Sequence, residues 1–131
     1  MSSEHQQEVQ YHVNENMKDL PFSEAVRVKN MLYLSGQIGI GDSSMKLVPG
    51  GIVAETRQVM ENIKATLEKC GSSLDHVIKA TVMLADISEW GEMNNVYVQF
   101  FSKHLPARSA LGANGLAMGA RVEIECIAVL K

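Results

Sequence analysis

The sequence lacks the features that mark several large classes of protein. Its 131 residues include only two cysteines and three prolines, and aromatic side chains make up 5% of the chain. The cysteines are not arranged as a CxxC pair, and the four histidines show no metal-ligand spacing. No apolar run approaches the roughly 20 residues that span a bilayer. These absences argue against a disulfide scaffold, a metal centre and a membrane span.

Basic patches and phosphate-binding motifs are missing too. The net charge is −3, and the lysines and arginines are scattered, which argues against a nucleic-acid partner. No Walker-type loop and no GxGxxG opening a helix supports nucleotide binding. The N-terminal stretch MSSEHQQEVQ has no apolar signal region. We therefore expect a cytoplasmic, reduced protein in which Cys70 and Cys126 are buried free thiols.

The hydrophobic pattern predicts one domain over residues 1–131, in which residues 1–20 form a loose arm or an irregular edge strand. Period-two patterns predict strands at 25–29, 31–35, 76–85, 107–113 and 120–130. The first two strands read as a hairpin. Apolar residues at helical spacing predict a helix over 52–70 that ends at Gly71, and a second helix that begins with Ser88 as its N-cap and ends before Pro106.

This order of elements predicts an α+β fold, with two helices on one face of a mixed sheet. The strands at 76–85 and 120–130 are apolar on both faces over much of their length. A strand of that kind needs cover on both sides, and a monomer would leave a large apolar patch exposed. We therefore expect a closed homo-oligomer that packs the open sheet faces together.

Two carboxylates interrupt the apolar pattern of the last strand. Alternation places Glu123 and Glu125 on the same face as Ile127 and Val129, which we expect to be buried. A buried carboxylate needs a cationic or hydrogen-bonding partner or a shifted pKa, and the nearest strong candidate is Arg108. Two interpretations stay open at this point: a salt bridge that only holds the sheet together, or an acid and an arginine that converge in a functional cleft.

Other candidate positions are weaker. Ser35 and Gly36 stand at the end of a predicted strand, where a glycine lets the backbone approach a ligand. Phe22 could be a pocket wall or a core residue. No serine has a histidine at a spacing that suggests a catalytic triad.

Six stretches of the chain are informative when they are taken together. They are Leu-Pro-Phe-Ser-Glu-Ala-Val at 20–26, Leu-Ser-Gly-Gln-Ile at 34–38, Asn94 to Tyr97, Phe100-Phe101, Pro-Ala-Arg-Ser at 106–109 and Val-Glu-Ile-Glu-Cys-Ile-Ala-Val at 122–129. In this order and spacing they resemble the Rid (YjgF) family of enamine/imine deaminases, over nearly the whole chain from residue 20. The resemblance implies a chorismate-mutase-like α+β fold, assembled as a homotrimer with sites in the clefts between subunits.

The resemblance also implies a reaction and a set of site residues. The reaction is hydrolysis of 2-enamine or 2-imine intermediates, such as 2-aminoacrylate or 2-iminobutyrate, to 2-keto acids and ammonia, with neither metal nor organic cofactor. Arg108 would bind the substrate carboxylate, and Glu123 would activate the attacking water as general base. Ser35, Gly36 and Phe22 would line the pocket. Asn94 and Tyr97 match family positions on the second helix and are expected to be structural.

The chain departs from the family pattern at three places. Phe22 stands where many members carry tyrosine, and Ala110 where some carry cysteine. The stretch 116–118 lacks a proline that often follows the leucine. Two alternatives to the deaminase are a non-catalytic carboxylate-binding or holdase-like trimer, and an RNA-cleaving or translation-inhibiting protein. The acidic charge balance disfavours the latter.

Overall fold

The computed structural model describes residues 8–41 and 45–131 and contains one mixed six-stranded sheet. The strands are β1 (Val9–His12), β2 (Ala25–Val28), β3 (Met31–Gln37), β4 (Val77–Leu84), β5 (Ala107–Gly112) and β6 (Val122–Val129). The helices are α1 (Gly51–Lys69) and α2 (Trp90–Tyr97), with short 3₁₀ turns between elements. The sheet order is β1-β2-β3-β6-β4-β5, and only β4 and β5 are parallel neighbours.

The predicted α+β layout is therefore confirmed, including the hairpin of β2 and β3. The polar N-terminal region supplies an edge strand, because β1 pairs antiparallel with β2. Residues 1–7 of the expected loose arm lie outside the described residues. Neither helix in the described part of the chain is long and apolar enough to cross a bilayer.

Both helices pack on one face of the sheet, and the core lies between these two layers. Helix α1 contributes an apolar stripe that includes Val59, Ile63 and Leu67, each at most 2% exposed. The sheet contributes alternate residues of its central strands, which are equally buried, among them Leu32, Val82, Ile124 and Ala128. Cys70 and Cys126 are buried free thiols, as the sequence predicts.

The N-terminal cap of the second helical segment differs from the sequence prediction. A 3₁₀ turn over Ile87–Glu89 precedes α2, and Asp86 caps it by accepting a 2.9 Å hydrogen bond from the Ser88 N–H. The Ser88 N-cap prediction was therefore wrong, because the chain turns two residues earlier. Hydrogen bonding from the Ser88 side chain, followed by this bond from its backbone N–H, lowers the pKa of Asp86.

The last two strands are consecutive in the sequence but do not pair with each other. β4 lies between them, parallel to β5 and antiparallel to β6. This topology places Arg108 on an edge strand, opposite Ala80, whereas Glu123 lies on a central strand, opposite Met83. The two residues that the sequence singles out are thus two strands apart.

None of the described helices packs on the second face of the sheet. Its residues include Tyr33, Met83, Leu111 and Ile127, and Tyr33 and Leu111 are 44% and 45% exposed. We call this surface the open face. One face of β6 is thus uncovered within a single chain, and the closed homo-oligomer that would cover it stays a prediction.

Substitution of two glycines can test the backbone geometry of the helices. Gly71 follows the C-cap of α1 with φ +88°, where an added Cβ would meet only Leu130, at 3.9 Å. Gly91 lies within α2, and nothing is within 4 Å of an added Cβ. We expect Gly71→Ala to destabilise the fold by about 1 kcal/mol because of the left-handed backbone.

In contrast, Gly91→Ala should stabilise the fold by up to about 1 kcal/mol through helix propensity. Denaturant unfolding of both variants at one protein concentration measures the two changes. Shifts of the same sign would contradict the backbone assignments at these two glycines.

Candidate active site

Glu123 projects from β6 onto the open face and lies directly beside Gly36 of β3. A Cβ added to Gly36 would fall 2.9 Å from the Glu123 Cδ and closer still to its Oε2. Real Cβ atoms essentially never approach so closely, so a larger residue at position 36 would displace the carboxylate. The pattern of pairing between β3 and β6 is also irregular here, between Leu34 and Gln37. The glycine predicted to allow close approach of a ligand thus admits a carboxylate of its own chain.

Ser35 ties the segment before β2 to β3, next to Gly36. Its Oγ donates a 2.6 Å hydrogen bond to the Ser23 carbonyl, and its N–H donates a 3.0 Å bond to the Glu24 carbonyl. Phe22, which immediately precedes Ser23, is 54% exposed and is therefore not a core residue. Of the predicted pocket residues, Gly36 thus lies directly beside Glu123, and Ser35 holds the segment that follows Phe22 against β3.

Glu123 has an environment suited to exchanging protons. Its neighbours across the sheet on the open face are Met83 and then Leu111, so part of its surroundings is apolar. Burial raises the pKa of Glu123, and the nearby Glu125 carboxylate raises it further. Enzymes raise the pKa of catalytic carboxyl groups by the same two causes. Glu125 is exposed in this chain, which corrects the expectation that its side chain is buried.

The start of β6 is anchored from the helix side. Glu55 of α1 is 6% exposed, and its Oε1 accepts a 2.8 Å hydrogen bond from the Arg121 N–H. The Arg121 side chain donates to the Glu89 Oε1 at 2.6 and 2.9 Å, and this contact is the main reason why the pKa of Arg121 is raised. These bonds fix the backbone two residues before Glu123, and they were not foreseen from the sequence.

Arg108 lies on the opposite side of the sheet from Glu123. Its guanidinium carbon is 4.9 Å from the ring centre of Tyr97 and 5.9 Å from that of Trp90, and both rings belong to α2. Within the described part of the chain, no carboxylate is within 4 Å of the Arg108 guanidinium. One chain therefore does not form the salt bridge between Arg108 and Glu123 or Glu125 that the sequence left open.

Tyr97 packs in the hydrophobic core, and its ring also lies against Arg108. The side chain is 4% exposed, and burial raises its pKa to about 12. Tyr97 Oη and Asn94 Oδ1, one turn earlier, are both buried without a hydrogen-bond partner among the described residues. Buried polar atoms are ordinarily hydrogen-bonded, so these two atoms of α2 remain free to form hydrogen bonds.

Trp90 is the residue at this site that the sequence reasoning missed. The signal was present, because Trp90 and Tyr97 are seven residues apart and therefore share one face of the helix. The packing of α2 beside the strand that carries Arg108 could not be predicted from the sequence, because it depends on the parallel pairing of β4 and β5.

Neither of two open depressions in the chain contains these residues. One, of about 480 Å³, lies along α1 beside Arg57 and Glu61, and the other, of about 350 Å³, lies beside His76 and His104. Among residues 8–41 and 45–131, no cluster of three or more His, Cys, Asp or Glu side chains could hold a metal ion. The candidate residues of one chain thus form two groups, one on each face of the sheet. Glu123 and Gly36 lie on the open face, and Arg108, Tyr97 and Trp90 lie on the helix side. We call these two groups the half-sites.

Comparison with known proteins identifies the class. The Endoribonuclease L-PSP family model matches residues 15–130. The mouse protein named 2-iminobutanoate/2-iminopropanoate deaminase is 45% identical over 109 residues, which cover 83% of this chain and 81% of the mouse chain. The chain therefore belongs to the Endoribonuclease L-PSP family, the Rid (YjgF) family that its motifs resemble.

Two solved structures support the same assignment. RidA from an Antarctic Psychrobacter superposes with a TM-score of 0.82 at 38% identity, and the match covers 95% of this chain and all of that one. TdcF from E. coli, solved with bound serine, gives a TM-score of 0.80 at 32% identity, over 86% of this chain and 90% of TdcF. The YjgF-type fold is thus confirmed.

Glu125→Gln tests the electrostatics of the open face. Because the Glu125 carboxylate raises the pKa of Glu123, its removal should lower that pKa. The pKa should still remain above the ordinary value of a glutamate, since burial is the larger cause. A carbon-13 NMR titration of the carboxyl groups measures the shift. Glu68→Gln, on the exposed side of α1, is the control that should leave Glu123 unchanged. An unchanged Glu123 titration in Glu125→Gln would contradict the coupling.

Proposed function

We propose that the protein hydrolyses 2-imino acids, and the enamines that tautomerise to them, to 2-keto acids and ammonia. The observation that carries this proposal is the state of Arg108, a partly exposed guanidinium with no acid partner among the described residues. An unpaired arginine fork is suited to a substrate carboxylate. The deaminase name of the mouse relative and the serine bound to TdcF both agree with a small amino-acid-like ligand.

We further propose that each site is assembled from two copies of the chain, within a homotrimer. Arg108 and Glu123 lie on opposite faces of one sheet, so one chain cannot direct both side chains at the same small molecule. The apolar open face, with Tyr33 and Leu111 nearly half exposed, is the surface that a second copy would cover. Such packing would bring the open face of one copy toward the β5 edge of its neighbour.

In the proposed reaction, Arg108 of one copy holds the substrate carboxylate, and Glu123 of the other accepts a proton from water. The water oxygen bonds to the carbon of the protonated imine while the C=N π electrons move to nitrogen, which becomes an amino group. The protonated Glu123 then gives its proton to this amino group. The C–N bond breaks, ammonia leaves, and the hydroxyl gives its proton back to Glu123 as it becomes the keto oxygen. The raised pKa of Glu123 suits a group that must hold this proton between the two steps.

The remaining half-site residues have supporting roles in this proposal. Ser35 holds Ser23, and with it the segment that follows Phe22, against β3, and Gly36 leaves room for the Glu123 carboxylate. Phe22 offers an exposed ring without a phenolic hydroxyl, so it can pack against substrate but cannot orient water. We place the reaction in the cytoplasm, where pyridoxal-phosphate-dependent dehydratases release such intermediates, and the two free thiols agree with a reducing compartment.

Steady-state hydrolysis of an imino acid generated in situ by a dehydratase tests the function. We expect Arg108→Ala to lower kcat/KM by roughly 100-fold or more, chiefly through KM, because two charge-assisted hydrogen bonds are lost. Glu123→Gln should lower kcat by roughly 100-fold or more, with little change in KM. Arg57→Ala, an exposed arginine on α1, is the control that should retain full activity.

Two outcomes would contradict the proposal. If the wild-type protein accelerates no 2-imino acid, the protein is not a deaminase of this class. If calorimetry then shows that a small carboxylate still binds and Arg108→Ala abolishes that binding, the chain is a non-catalytic binder. Undiminished turnover in Glu123→Gln would remove Glu123 from the chemistry while leaving the reaction in place.

A further inference from the structure

Arg108 is held by two aromatic faces rather than by an acid. The ring centres of Tyr97 and Trp90, at 4.9 and 5.9 Å from its guanidinium carbon, both fall within the range of about 6 Å over which a cation is attracted to a ring. We call this pair of rings the aromatic bracket.

The bracket has a consequence for ligand binding. A carboxylate partner would occupy the in-plane N–H donors of the guanidinium and would compete with an incoming anion. Aromatic rings attract the cation through its charge and leave those donors unused. The bracket therefore restrains Arg108 without neutralising it.

The two rings are not equivalent. Tyr97 is 4% exposed and belongs to the hydrophobic core, so its presence is explained by packing alone. Trp90 is 48% exposed and lies outside the core, although it is the single tryptophan of the chain. Trp90 is thus a large, half-exposed ring beside Arg108, an arginine of the edge strand that has no acid partner among the described residues. Packing in the core does not explain this position, so another role must account for it.

We propose that Trp90 is a positioning residue, which holds the Arg108 guanidinium in the orientation that binds the substrate carboxylate. This inference rests on the proposed function of Arg108 and adds a residue that the motif comparison did not point to. Trp90 acts on substrate only through Arg108, so its loss should weaken binding and leave the chemical step intact.

Trp90→Phe and Trp90→Leu form the matched pair that tests the inference. Phenylalanine keeps a π face, whereas leucine keeps apolar bulk without one. We expect Trp90→Leu to raise KM between about threefold and thirtyfold with kcat nearly unchanged, because a cation–π contact is lost. Trp90→Phe should stay within about threefold of the wild-type KM, since one ring still faces the cation. Val98→Ala, a 47% exposed apolar residue in the turn that follows α2, is the control that should leave both constants unchanged.

A binding measurement separates failure of the inference from failure of the proposed function. Because Trp90 is the single tryptophan, its fluorescence reports on this site without a label. Butyrate, a carboxylate that does not absorb near the excitation wavelength, should change the emission in a saturable way in the wild type. The change should be lost in Arg108→Ala.

The positioning role would be overturned if Trp90→Leu and Trp90→Phe had equal KM values, or if Trp90→Leu matched the wild type. Turnover by the wild-type protein would still support the proposed function in that case. Absence of turnover together with a saturable, Arg108-dependent fluorescence change would overturn the function and retain the contact between Trp90 and an Arg108 that binds carboxylates. Circular dichroism and thermal unfolding confirm that the variants are folded.

Discussion

The alternation of side chains along the sheet is the constraint on which the rest depends. Both helices cover one face, so every second residue of the central strands enters the core, and the residues between them are left on the open face. Glu123 falls in the second set, whereas Arg108 on the edge strand β5 lies on the face that the helices cover. A one-residue change of register in either strand would reverse that assignment. The separation of the two half-sites is therefore a property of the fold itself, and it is the physical reason for placing the proposed reaction between copies.

The two half-sites handle charge in different ways. On the open face, apolar neighbours and Glu125 raise the pKa of Glu123, which makes the carboxyl a better proton carrier. On the helix side, the rings of α2 attract the guanidinium of Arg108 without supplying a counter-charge. Each group is thus left with an unsatisfied electrostatic requirement in one chain. A substrate that carries a carboxylate at one end and an imine at the other would meet both requirements when two copies pack together.

The sequence predicted the elements well, because their signals are local. The apolar stripe from Ile52 to Leu67 and the alternation in β2 and β3 need no tertiary information. The cap at Asp86 was missed because a 3₁₀ turn precedes the helix, and the sequence gives no sign of where such a turn begins. The placement of Arg108 and Glu123 on opposite faces of the sheet could not be predicted from the sequence either, because it depends on β4 lying between β5 and β6. Motif resemblance pointed to the site residues, but Trp90 became visible only when α2 was seen beside β5.

Complementation between two inactive variants tests the central claim, that one site draws on two copies, most directly. Arg108→Ala and Glu123→Gln would be unfolded and refolded together in equal amounts, and native mass spectrometry would confirm that mixed oligomers form. In randomly mixed rings, about one quarter of the interfaces pair an intact Arg108 with an intact Glu123 of the neighbour. If each site draws on two copies, about a quarter of wild-type turnover should be recovered. No recovery in confirmed mixed oligomers would contradict the claim, because a site contained within one chain cannot be rebuilt by mixing.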